Sequence, residues 1–134
     1  MRGLMEKCAP YLYALMRIII GVLFACHGAQ KLFGVLGGVG EQPGATVALF
    51  SLMGLAGVIE LVGGLLIAIG CFTRVAAFIT SGHMAAAYFM AHAPRGFWPL
   101  QNDGELPVVY CFVFLYIAAQ GAGIWSIDRL RHSA

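Results

Sequence analysis

Charge is what this sequence has least of. Eight Lys/Arg and six Asp/Glu make up 10% of its 134 residues, against about 25% in ordinary soluble domains. So few charges cannot cover the surface of a soluble protein of this size. Disorder is excluded as well, because it needs low hydrophobicity and high charge. The net charge is +2, and no basic run exceeds Arg129-Leu-Arg131, so nucleic acid is not an expected partner. No C-x-x-C occurs: Cys8, Cys26, Cys71 and Cys111 stand far apart, which removes the thioredoxin-type motif and structural zinc patterns. A dinucleotide fingerprint, a P-loop and a nucleophile constellation are also missing. What is present in excess is apolar: 60% of residues are hydrophobic and the mean hydropathy is +0.85. The expected partner is a lipid bilayer.

A helix crosses a bilayer with roughly 20 mainly apolar residues, range about 17–25. Four stretches qualify, at 11–33, 47–70, 75–92 and 106–124. Between them lie a glycine-rich segment with Pro43, the tight turn Cys71-Phe72-Thr73-Arg74, and a segment holding Pro94, Pro99 and Asn102-Asp103-Gly104. Arg2 and Lys7 precede the first run, but it is too long for a signal h-region of about 7–15 residues and no small-residue cleavage site closes it. It reads as a retained span. With four spans both termini share one side. That side carries Arg2, Lys7, Arg74, Arg129 and Arg131, and the other only Lys31 and Arg95. The excess predicts cytoplasmic termini.

Lipid gives helices no hydrophobic reason to associate, so close contact through small residues takes over. Gly54, Gly57, Gly63 and Gly64 in the second span supply it, as do Ser81/Ala85, Gly82/Ala86, Ala118/Ala122 and Ala119/Gly123. The expected fold is all-α, an integral membrane antiparallel four-helix bundle in one domain. Trp98 and Trp125 fall at opposite predicted surfaces as headgroup-level anchors.

Ionisable residues inside such a bundle are costly and need a reason. Arg17, His27 and Lys31 fall within an arc of about 80° of the first helix, beside Gly21 and Gly28. Glu60 sits mid-span in the second helix, on the side of Gly57 and Gly64. At about 1.5 Å per residue, Arg17 stands about 9 Å and Glu60 about 15 Å above the inner ends of their spans, within reach of an arginine stem. The spacing predicts an Arg17–Glu60 ion pair that sets helix register. The functional alternative makes Glu60 a proton-relay carboxylate or a ligand-binding group. His83 has a similar depth and is placed to hydrogen-bond Glu60. His92, nine residues later, falls on the opposite face unless the last turn unwinds before Pro94. His27, Lys31, His92 and Glu105 gather near the outer mouth. There they suit an anionic or quinoid head group or a proton shuttle, while Lys31 argues against a metal ion. The bland alternative is a snorkelling Lys31 among interfacial polar groups. His27 and His83 differ in depth by only about 5 Å, yet nothing around them calls for a haem. Cys26 and Cys111 share a depth at which an oxidising periplasm could link them.

The pattern resembles the DoxX family from about Leu15 to Asp128. It opens with Arg17-x3-Gly21-x5-His27-Gly28-x2-Lys31-Leu32, then Gly57-x2-Glu60-Leu61-x-Gly63-Gly64 and Gly70-x2-Thr73-Arg74. Met84-x2-Ala87-x4-His92, Asn102-Asp103-Gly104-Glu105 and Gly121-x-Gly123-x2-Ser126-x-Asp128 follow in order. The resemblance implies a small four-span protein of the bacterial inner membrane associated with redox chemistry and oxidative stress. A related branch forms the membrane subunit of a thiosulfate:quinone oxidoreductase, and some members assemble with soluble sulfur-transfer and superoxide-handling enzymes. The residues carried across are His27, Lys31, Glu60 and His92 as the reacting set, with Arg17 and Glu105 as ligand-binding groups. His83 and the cysteines lie outside the family pattern. Three functions follow in order. One is a quinone-linked oxidoreductase subunit with quinone as its electron acceptor. The next is a non-catalytic anchor for soluble redox or sulfur-transfer enzymes. The last is a small carrier or channel, for which no broken-helix repeat is evident. A homo-oligomer is compatible with all three.

Overall fold

The computed structural model describes residues 1–133. Helix α1 spans Arg2–Phe33, α2 Leu52–Ile69, α3 Thr73–Ala87, α4 Glu105–Gln120 and α5 Ile127–Ser133. A widened turn at Tyr88–His92 and a tight one at Ala93–Arg95 extend α3. The all-α expectation holds among the described residues, whose β pairing is limited to one isolated bridge, Gly38 to Ala45.

The element ends follow local chemistry. Helix α1 begins earlier than the apolar run, because Arg2 to Pro10 continue the helix beyond its hydrophobic part. It stops at Gly34, whose φ of 67° only glycine adopts without strain. Helix α2 starts later than expected. Ser51 caps it by accepting from the Gly54 N–H at 3.0 Å, and Val47 instead donates its N–H to the Lys31 carbonyl at 2.9 Å. Helix α4 ends at Gln120, before the predicted 124, since Gly121 turns the chain at φ 86°.

Neighbouring helices run antiparallel. Gly28 meets Gly57 and Leu61, while Gly21 meets Gly64 and Ala68, so α1 and α2 pass each other at backbone contact. A Cβ at Gly28 would lie 2.3 Å from the Leu61 nitrogen. The small residues are therefore the condition of the approach. Helix α3 packs on α2 through Thr80 against Gly63, and on α4 through Ser81, whose hydroxyl donates to the Cys111 carbonyl at 2.8 Å. The core between them holds Phe24, Ile67, Ala77, Phe114 and Ile117. Phe24 stacks edge-on against Phe114 with ring centres 4.7 Å apart.

The outside is apolar too. Leu15, Ile19, Leu55, Val62, Leu65, Phe78, Ile79, Phe112 and Leu115 are all exposed. Helices α1 and α2 are long and apolar enough to cross a membrane, yet only 28% and 33% of their most apolar windows are buried. A core helix of a soluble protein hides its apolar side chains; these leave most of theirs at least partly accessible. Helix α4 is apolar but only 16 residues long.

Candidate functional site

The antiparallel register decides which charges meet. Helix α1 runs on past the end of α2, so Arg17 stands level with the last turn of α2 and not with its middle. The expected Arg17–Glu60 pair does not form. Depth counted from the ends of the apolar runs misplaced both residues, because those runs do not end level with each other. Glu60 lies opposite the 25–31 stretch of α1. Lys31 reaches it from there, with Nζ 2.5 Å from both carboxylate oxygens. The His83 Nε2 is 3.3 Å from Glu60 Oε1, the contact expected from its depth.

Glu60 is 4% exposed, and the Lys31 and His83 side chains keep 17% and 14% of theirs accessible. The carboxylate is thus enclosed and its two partners form the way out. Aromatic rings wall the cluster. Phe24 lies edge-on to His83 with centres 6.3 Å apart and tilted on Tyr110 at 5.2 Å. His27 stands perpendicular to Tyr110 at 6.2 Å. Tyr110 is 5% exposed and within electrostatic reach of Glu60 and Cys26. Among the described residues, neither the His27 imidazole nor the Tyr110 hydroxyl makes a hydrogen bond. The arrangement can hold a proton on a carboxylate–imidazole pair and offers two further polar groups beside it.

The remaining sequence-derived candidates lie elsewhere. His92 belongs to the turn after α3. Pro94 has no N–H to continue the ladder, and the turn widens so that the Ala93 N–H donates to the Tyr88 carbonyl. His92 Nδ1 is then 2.9 Å from the Asn102 carbonyl, with Arg95 Nη2 on that same oxygen at 3.0 Å. Asn102, 1% exposed, organises this segment. Its Nδ2 donates to the Gly96 carbonyl at 2.6 Å and to the Tyr88 hydroxyl at 3.2 Å, and its Oδ1 accepts from the Gly104 N–H at 2.9 Å. Glu105 is exposed in the first turn of α4, where a negative charge suits the helix dipole. His27, Lys31, His92 and Glu105 therefore do not form one contact cluster.

Arg17, fully buried, serves backbone. Its Nη1 donates to the carbonyls of Ile67 and Ala68 at 2.6 and 2.7 Å, and its Nη2 to those of Ile124 and Trp125 at 3.2 and 2.7 Å. The first two belong to the last turn of α2, whose carbonyls have no partners within the helix. Arg74 does the same for α4, donating to the carbonyls of Ala118 and Ala119 at 2.8 and 2.5 Å. Asp128 does the converse for α3, accepting from the Phe72 and Thr73 N–H groups at 2.9 Å each. Burial raises the Asp128 carboxyl, but these N–H donors and the Arg131 charge outweigh it and leave the pKa below its ordinary value. All four cysteines are free thiols, and Cys111 Sγ lies 3.5 Å from the Ser81 hydroxyl. Tyr110, Asn102 and the capping roles of Arg74 and Asp128 were missed by sequence reasoning. A tyrosine in an apolar run carries a polar signal too weak to single out, and Asn102 reads only as part of a turn because its partners lie along the connection.

Comparison with known proteins bears on the family of the chain. The family model DoxX matches residues 12–93, which include Arg17, Lys31, Glu60 and His83. An uncharacterized protein of Haemophilus influenzae is 40% identical over 135 residues, covering 93% of this chain and 94% of its own. An uncharacterized membrane protein of Mycobacterium tuberculosis is 29% identical over 126 residues, covering 84% of this chain and 77% of its own. No solved structure matches. With its apolar exterior and its matched sequence, this chain is a membrane protein that belongs to the DoxX family.

Proposed function

We propose that this DoxX-family chain is a four-span protein of the bacterial inner membrane with cytoplasmic termini, acting as the quinone-linked membrane subunit of a redox system. The observation that carries the reading is the Lys31–Glu60–His83 cluster, an enclosed acid with two basic partners beside aromatic walls. Such groups are expensive in a membrane interior and mark proton or ligand sites there. Exposed apolar side chains on all four long helices support four spans, with α3 lengthened by its widened turn to about 20 residues.

The residues present fit a quinone head group. Among the described residues the His27 imidazole and the Tyr110 hydroxyl have hydrogen-bonding capacity left unused, and the buried Phe24 and Tyr110 rings make the surroundings apolar. A bound quinone supplies a two-electron acceptor, the electrons coming from a soluble redox partner. The chain's own part is protonic: the Glu60–His83 contact offers a carboxylate and an imidazole between which a proton can pass, and Lys31 pairs with the same carboxylate. Arg17, His92 and Glu105 have no role in it. The test is gentle purification followed by quinone extraction, with electron transfer measured in membranes carrying His27→Ala or Glu60→Gln. Both variants are expected to lose quinone retention and electron transfer. Unchanged quinone reduction in both overturns the reading.

A second reading rests on the N-terminal part of α1, which continues as helix beyond the end of α2 with exposed residues from Gly3 to Lys7. A projecting turn of this kind suits docking of a soluble redox or sulfur-transfer enzyme. Here the Lys31–Glu60 pair is only an internal lock. Co-purification of a soluble partner that survives His27→Ala but is lost on Glu6→Lys with Lys7→Glu would favour it.

A further inference from the structure

An open cleft of about 870 Å³ lies at the end of the bundle that carries both termini, between the start of α3, the end of α4 and α5. Tyr13, Phe72, Val75, Tyr116 and Ile124 give it apolar walls. The chain is turned into this shape by two glycines at positive φ. A Cβ at Gly123 would meet the Tyr13 ring at 2.9 Å, and one at Gly121 the Arg74 guanidinium at 3.0 Å. The mouth is basic: Arg74, Arg129 and His132 line it, and Arg131 sits 4.9 Å over the Phe72 ring. Among the described residues Asp128 is the one acidic lining residue, and its oxygens are engaged by the Phe72 and Thr73 N–H groups. A neighbouring apolar cleft of about 570 Å³ shares Ile124 and Arg129. Tyr11 and Trp125, edge-on at 5.6 Å, mark the same level as the headgroup belt of a bilayer.

We propose that this cleft binds an anionic phospholipid. Its phosphate pairs with Arg129 and His132, and an acyl chain follows the apolar wall past Tyr13 and Tyr116. Charge complementarity selects this occupant, because basic pockets between membrane helices are where acidic headgroups settle. Arg74, committed to the α4 carbonyls, contributes charge and not donors. The inference rests on the membrane placement of the chain and not on the quinone reading.

The test uses the full chain in bilayer discs, with lipid exchange between phosphatidylglycerol and phosphatidylcholine followed by native mass spectrometry. The expected result is a roughly tenfold preference for phosphatidylglycerol, of the order that one or two basic side chains near a headgroup confer. His132→Gln should reduce it, Arg129→Gln with His132→Gln should abolish it, and Arg129→Lys should keep most of it. Lys7→Gln, a cation at the same end but outside the cleft, should leave it intact. Equal retention of the two lipids, or a preference that falls with Lys7→Gln but not with His132→Gln, overturns the site. Competition by inorganic phosphate alone, without an acyl chain, overturns the lipid as occupant. Failure to enter discs of either lipid would overturn the membrane placement as well.

Discussion

At the residue scale the central fact is that Glu60 and Lys31 are enclosed together. Removing one partner of a buried ion pair leaves an uncompensated charge and costs about 3–5 kcal/mol, whereas replacing both with apolar groups is often neutral. Glu60→Gln and Lys31→Met should therefore each destabilise strongly, and the double variant should recover much of the loss. Unfolding in detergent with denaturant measures this cycle, and additive losses would contradict the pairing. The glycines give a second contrast. Gly28→Ala pushes a methyl into the α2 backbone and should cost about 1–3 kcal/mol, as overpacking does. Nothing lies within 4 Å of a Cβ at Gly82, so Gly82→Ala should be neutral or slightly stabilising through its better helix propensity. Thermal melts of the two variants decide it.

At the element scale one end of the bundle is held by side chains at helix termini: Arg17 on α2, Arg74 on α4 and Asp128 on α3. The lowered Asp128 pKa gives this end a pH dependence. A carboxyl depressed by folding contributes stability above its unfolded pKa, and loses it as pH falls through the folded one. Asp128→Asn should lower stability at neutral pH by about 0.3–1 kcal/mol, the range for a charge at a helix N-terminus. That difference from the parent protein should begin to shrink as pH falls through the ordinary Asp range and vanish only below the depressed pKa of the folded state. Parallel melts across this range check it, and a difference independent of pH would contradict the ionic cap. Hydropathy located all four long helices, because apolar runs and glycine breaks are local properties of the chain. It did not locate α5, a short polar helix, or the polar extension of α1, because neither carries an apolar run.

At the scale of the whole molecule, the sequence shows faces more readily than registers. Helical periodicity placed Arg17, His27 and Lys31 on one side of α1 and Glu60 on the glycine side of α2. It carries no information on how far one helix slides along another. That sliding is set by Gly21 and Gly28 against Gly64 and Gly57, and it assigned Glu60 to Lys31 while sending Arg17 to carbonyls. The His83–Glu60 contact was legible because both residues lie mid-helix on either side of one short turn, which fixes their relative depth. Tyr110 was not, since it reaches Phe24 and His27 only through the packing of α4 on α1. His92 and Glu105 shared a predicted level with the cluster, yet the segment built around Asn102 holds His92 apart. A long connection folds on its own contacts, which flanking hydropathy does not encode.

The defining feature of this protein is a pair of charges, Lys31 and Glu60, turned towards each other inside an apolar bundle. The most direct measurement is a solid-state NMR dipolar coupling between a ¹⁵N-labelled Lys31 ammonium and a ¹³C-labelled Glu60 carboxylate, recorded in phospholipid bilayers. Direct contact predicts strong dephasing that Glu60→Gln removes. Absence of coupling in the folded, lipid-embedded parent protein would contradict the account.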